Sequence, residues 1–188
     1  MAALSIGVLL WVVVHLIPSI EQPLRQRLIS RLGEKGYKGV FALTILIALV
    51  LIVLGWRSTP EEYLYILPAW SRTVGLFLMI LSFVLLGAAH YPSLIKSYVR
   101  HPMLMGVFVW AVSHLLMNGT TRALVLFGGL GLWALLEMPL INRREGEYIK
   151  PDAPDFSGEL KGVFISGVIF IVVLMLHPYF AGVTPFPR

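Results

Sequence analysis

Six apolar runs, each about 15 to 19 residues long, divide the chain and constrain it more than any single motif does. They cover approximately Ala2–Ile17, Gly39–Trp56, Arg72–His90, Pro102–Met117, Ala123–Ile141 and Gly162–Leu176. A helix crossing the ~30 Å hydrocarbon layer needs roughly 20 residues, so these runs reach across with help from their flanks. Inside a bilayer every backbone polar group must be satisfied within the chain, which leaves helices or closed barrels. Runs of this length are helical, and the expected fold is all-α: a polytopic transmembrane helical bundle of about six helices, forming a single domain over residues 1–188. Charged residues make up only 13% of the chain and hydrophobic ones 57%, against about 25% charged in a soluble domain.

The polar connections set the orientation. The loops after the first, third and fifth runs hold Arg25, Arg27, Arg31, Lys35, Lys38, Lys96, Arg100, Arg143, Arg144, Lys150 and Lys161, eleven of the fifteen basic residues. Arg57, Arg72, Arg122 and Arg188 fall on the other side. The positive-inside rule then puts the first group in the cytoplasm and both termini outside. This distribution accounts for the net charge of +5 without a nucleic-acid partner. The first loop carries a short amphipathic stretch (Leu24, Leu28, Ile29, Leu32) suited to the membrane surface. The first run has no basic residue before it and no small-residue cleavage site after it, and reads as a retained helix. Asn118-Gly119 marks a tight turn between the fourth and fifth runs, and Gly128, Gly129 and Gly131 permit close helix approach.

Ionisable groups at membrane depth are costly and mark candidate sites. On this topology His15, His90 and His101 lie near the cytoplasmic face, and His114 and His177 near the outer one. His101 and His114 are separated by about 20 Å of helix rise and roughly 140° of rotation, so one small site cannot use both. Glu137 needs a partner, and Arg100, His101 and Arg143 stand at a similar depth. With no cysteine in the chain, thiolate metal sites, disulfides and cysteine-linked haem are excluded. Two histidines on different helices can still hold one haem iron axially. His15 and His101 are the candidate pair, since each is bounded by an apolar run and a proline. The alternative for each histidine is an interfacial residue bonded to loop carbonyls. His114 and Asn118, four residues apart, share a helix face and can hold a polar ligand or simply bond near the turn. The methionines and tryptophans read mainly as packing or interface residues.

The segments HLIPS, GEKGYKGVFAL and RHPMLMGVFVWAVSHLLMNG together resemble the NnrU family, and the resemblance runs from about Leu9 through the loop after the fifth run. It implies a bacterial inner-membrane protein associated with denitrification, supporting the expression or function of nitrite and nitric oxide reductases. The family is in turn similar to the plastid 15-cis-zeta-carotene isomerase, which binds haem b. That likeness implies haem b on His15 and His101. Arg100 and Glu137, at the same depth, are the candidate groups beside it, and a hydrophobic small molecule is a candidate partner. The isomerase's cysteine switch ligand has no counterpart in this chain. RHPMLMG followed by NRREGEY is also similar to membrane methyltransferases that hold S-adenosylmethionine with a histidine and paired glutamates. Here Leu104 stands where those enzymes have tyrosine, and Gly146 separates Glu145 from Glu147. A third reading is a non-enzymatic assembly protein that binds the reductase machinery.

Overall fold

The structure, a computed structural model, describes residues 1–152 and 154–184. The described residues are helical almost throughout: α1 (Ala2–Ile20), α2 (Gln22–Ser58), α3 (Ser71–Ala88), the short α4 (Ile95–Tyr98), α5 (Pro102–Met117), α6 (Thr121–Ala123), a π-helical turn (Leu124–Gly128), α7 (Gly129–Glu145) and α8 (Phe156–Ala181). Only Tyr63 and Thr120 pair in a β-bridge among them. α1, α2, α3, the continuous stretch Thr121–Glu145 and α8 are each long and apolar enough to cross a membrane, and α5 is a shorter apolar helix. This is the expected all-α membrane bundle.

The boundaries differ from the expectation where a local rule was outvoted. α1 continues through Pro18 to Ile20, because a proline in the last turn removes one intrahelical bond without preventing the turn from closing. The first loop is helical as well. α2 begins at Gln22, with Pro23 in its first turn, and is broken only at Gly33, whose φ of 72° glycine adopts at no steric cost. The expected amphipathic stretch is therefore the arm of α2 before this break. α8 starts six residues before the expected Gly162, capped by Asp155, whose side chain accepts from the Gly158 N–H.

Neighbouring helices form an arc in the order α2, α1, α7, α5, α3, α8. The α1–α2 and α3–α5 pairs are the most extensive. A Cβ on Gly55 would run into the backbone of Ala3 and Leu4, so glycine sets the close approach of α1 to α2. Gly129 against Val8 and Gly131 against Ala111 do the same for the middle of the arc, as expected; Gly128 meets only Leu124 of its own turn. Two serine hydroxyls fasten α3 to α5: Ser82 donates to the Gly106 carbonyl at 2.8 Å and Ser113 to the Gly75 carbonyl at 2.7 Å, both fully buried. The arc's outer members meet at one end, where the Trp56 indole N–H donates to the Ala181 carbonyl at 3.1 Å.

The two ends of the bundle are chemically unlike. At the end where α2 and α8 meet, buried Arg122 donates to the carbonyls of Trp56 and Thr59, pairs with Glu61 and lies 4.4 Å from the centre of the Trp56 ring. It closes the C-terminus of α2, where free carbonyls favour a cation. The opposite end carries Arg25, Arg27, Arg31, Lys96, Arg100, Arg143, Arg144 and Lys150, and is called the basic end below. Arg188 lies outside the described residues.

Candidate functional site

A cleft of about 770 Å³ opens toward the basic end, walled by α1, α3, α5 and α7. It is lined almost wholly by apolar and aromatic side chains, and its size suits a small-molecule or cofactor site. His15, Arg100, His101 and Glu137, taken from three separate places in the sequence, all line it. His114 and Asn118 do not. His90 is exposed and is also absent from the wall.

His15 sits inside an aromatic frame. Its ring lies 4.4 Å from Trp11, 4.9 Å from Trp133 and 5.6 Å from Phe41, between centroids. Its Nδ1 is 2.8 Å from the Trp11 carbonyl. A carbonyl can only accept, so Nδ1 carries the proton and Nε2 presents a lone pair, the arrangement found when a histidine ligates a metal through its other nitrogen. His101 is held differently. It precedes Pro102 at the start of α5, and its Nε2 is 2.8 Å from Asn142 Oδ1 of α7. Nε2–H donates to that oxygen, which leaves Nδ1 bare.

Glu137 is 5% exposed, and its partner is none of the three expected from depth. One carboxylate oxygen accepts from the Ser19 hydroxyl, and Ser19 Oγ accepts in turn from Arg144 at 3.3 Å. Ser19 is in place because α1 runs past Pro18. Arg100 is occupied elsewhere: it donates to the Gly146 carbonyl at 2.6 Å, stands 3.7 Å from Glu145 and lies 5.4 Å from the centre of the Tyr148 ring. The Tyr148 hydroxyl donates to the Lys96 carbonyl at 2.6 Å. Lys96, Arg100 and Tyr148 thus form a polar mouth on an apolar cleft.

Three buried polar atoms of this wall have no hydrogen-bond partner among the described residues: Trp11 Nε1, Trp133 Nε1 and Glu137 Oε2. A buried polar atom left unpaired costs roughly 1–3 kcal/mol, so such atoms call for an explanation. The sequence marks the tryptophans as packing or interface residues, and Trp11, Trp110 and Trp133 line the cleft. The signal available was spacing: Trp11 and His15, like Trp110 and His114, stand four apart and share a helix face. At the other end His114 repeats the local pattern, with Nδ1 donating to the Trp110 carbonyl at 2.9 Å and its ring 4.2 Å from Phe127 of the π turn. Asn118 donates to the His114 carbonyl at 3.0 Å, so that pair is bonded within its own helix end. His177 is bonded to the Val183 carbonyl at 2.9 Å.

Among the described residues no three His, Asp or Glu side chains gather to hold a metal ion. A haem needs less, because the macrocycle supplies four nitrogens and the protein only axial ligands. The wall fits such a group: flat aromatic and aliphatic surfaces, two histidines each with a bare ring nitrogen, and Lys96 and Arg100 at the mouth for carboxylates.

A family model described as "NnrU protein" matches residues 3–185, nearly the whole chain. No curated protein and no solved structure matches.

Proposed function

The chain belongs to the NnrU family, and from that premise we propose that it is a bacterial inner-membrane protein supporting denitrification through haem b held in the cleft. The basic end faces the cytoplasm and both chain ends face the periplasm. His15 Nε2 and the bare Nδ1 of His101 would hold the iron, and Lys96, with Arg100 beside it, would take the propionates. When bound, haem b supplies a redox-active iron. The chain's own residues position it: the Trp11 carbonyl fixes the His15 tautomer, Asn142 orients His101, and Trp11 and Trp133 exclude water. The role in nitrite and nitric oxide reductase expression or function follows from the family. The single observation that carries the cofactor reading is the convergence of His15 and His101, from α1 and the start of α5, on one apolar cleft.

The test is the absorption spectrum of detergent-purified protein from haem-replete cells, oxidised and then reduced with dithionite. We expect a Soret band with sharp reduced α and β bands. His15→Ala and His101→Ala should each abolish these bands, while His177→Ala keeps them. Haem retained in both cleft variants would overturn the assignment. A colourless protein that co-purifies with a reductase would move the reading to an assembly role.

One observation favours a second reading. The two motifs that resemble methyltransferases meet in space, with Arg100 beside Glu145 and Gly146, and His101 on Asn142. That reading expects calorimetric binding of S-adenosylmethionine, lost in His101→Ala and Glu145→Ala.

A further inference from the structure

The arm of α2 before Gly33, Gln22–Leu32, makes about three turns of helix, and its side chains sort by chemistry around the axis. At about 100° per residue, Leu24, Leu28 and Leu32 form one stripe, and Gln22, Gln26 and Ser30 form another roughly 160° away. Arg27 and Arg31 run along one flank of the leucine stripe and Arg25 lies on the other. Leu24 and Leu32 are 40% and 47% exposed, so the bundle leaves the stripe uncovered. Arg27 and Arg31 are exposed as well, four apart on one face, and neither has an acidic partner among the described residues. A like-charged pair at this spacing opposes a helix, and an isolated helix of this length is marginal in water. The uncovered leucines and the unpaired cations both call for a partner outside the described residues, one that is apolar and anionic at once.

The position of the arm supplies that partner. Only Glu21 separates it from the end of α1, and beyond Gly33 α2 runs back along α1, with Phe41 5.6 Å from His15 and Gly55 against Leu4. Both ends of the arm therefore lie at the basic end of the bundle, where α1 and α2 leave the apolar span. The Arg25 guanidinium, 5.9 Å from the centre of the Tyr37 ring, ties the first turn of the arm to the turn after Gly33. We infer that the arm docks on the membrane surface and recognises anionic phospholipid, with its leucines at the acyl boundary and Arg27 and Arg31 on headgroup phosphates. A guanidinium stays charged at any working pH and its fork of donors suits a phosphate. A zwitterionic surface serves the leucine stripe alone, whereas an anionic one serves both stripes. This surface is separate from the cleft and independent of the iron.

The test is amide hydrogen exchange over residues 24–32 of the full-length protein, held in nanodiscs of phosphatidylcholine alone or of equal parts phosphatidylcholine and phosphatidylglycerol. Residues 146–152, at the same end, correct for the lower pH at an anionic surface. Each arginine near such a surface contributes a preference of about five-fold, so exchange in the arm should slow by about ten-fold or more with phosphatidylglycerol. Carrying Arg27→Gln and Arg31→Gln together should cut the slowing to about two-fold or less. Salt at about 0.5 M should weaken it, because screening then acts within a few ångströms. Inorganic phosphate added to the phosphatidylcholine nanodiscs should leave exchange unchanged; slowing by phosphate alone would overturn the lipid as the ligand. Equal exchange in the two nanodiscs would overturn the inference and leave the arm to its leucines. So would a slowing that survives the double substitution. The comparison in the unaltered protein decides the matter even where the variant fails to fold.

Discussion

At the scale of single residues, buried polar groups are paired across helices, bonded within their own helix, or left without a partner among the described residues. Ser82 and Ser113 are the first kind. Each donates to a carbonyl of the facing helix where a glycine, Gly106 or Gly75, brings the backbone near. Interhelical bonds of this type contribute about 0.6–2 kcal/mol each in a membrane. Ser82→Ala and Ser113→Ala should therefore each lower stability by about 1 kcal/mol, and nearly additively, since two turns of helix, about 10 Å of rise, separate the two bonds on each helix. Reversible unfolding in mixed micelles, monitored by circular dichroism, checks both. His15 and His101 stand out in the sequence as histidines at membrane depth near a proline, and both line the cleft. The partner of Glu137 does not stand out. Depth alone offered Arg100, His101 and Arg143, but the choice depends on which way each helix face turns. Ser19 also lies beyond a proline that a local rule treats as the end of α1.

At the scale of elements, hydropathy gave the six apolar segments and their order, and it failed wherever a helix runs on into polar sequence. The arm of α2 before Gly33 and the first turn of α8 are helical for local reasons, proline in the first turn in one case and a side-chain cap in the other. Asp155 gives the second case a pH dependence. The Ser157 hydroxyl and the Gly158 N–H both bond its carboxylate and hold it below the usual range. Its folded value is depressed, so the cap is fully present above the unfolded value of about 3.9 and is lost as pH falls through the folded one. Amide exchange in the first turn of α8 should thus keep constant protection, after correction for intrinsic rates, down to about pH 4 and lose it below. Asp155→Ala should show the unprotected rate throughout. The π turn was illegible in advance, because no composition distinguishes Leu124–Gly128 from the helix on either side. It shows only in the packing, where Phe127 is brought flat against His114.

At the scale of the whole molecule, the arrangement of helices in the arc was beyond sequence reading, because hydropathy says which segments are apolar and not which are neighbours. The tight Asn118-Gly119 turn correctly placed α5 beside the segment that follows it, and the even number of apolar runs placed both chain ends on one side. The absence of cysteine offers a direct check on orientation. On the proposed orientation Tyr63→Cys, in the exposed loop at the end opposite the basic one, should react with a membrane-impermeant maleimide in intact cells, and Lys150→Cys only after permeabilisation. The reverse pattern would invert the topology and place the cleft mouth in the periplasm. The arc also brings distant parts of the sequence together. Leu4 packs on Gly55, and the next residue, Trp56, bonds Ala181. The beginning of α1 and the end of α8 thus rest on the same turn of α2. The bundle is a circuit in space that the sequence enters at one point among several. Its packing would be the same in a circular permutant that entered at another, so the order of helices along the chain is a matter of ancestry and insertion, and their order around the arc is what makes the cleft.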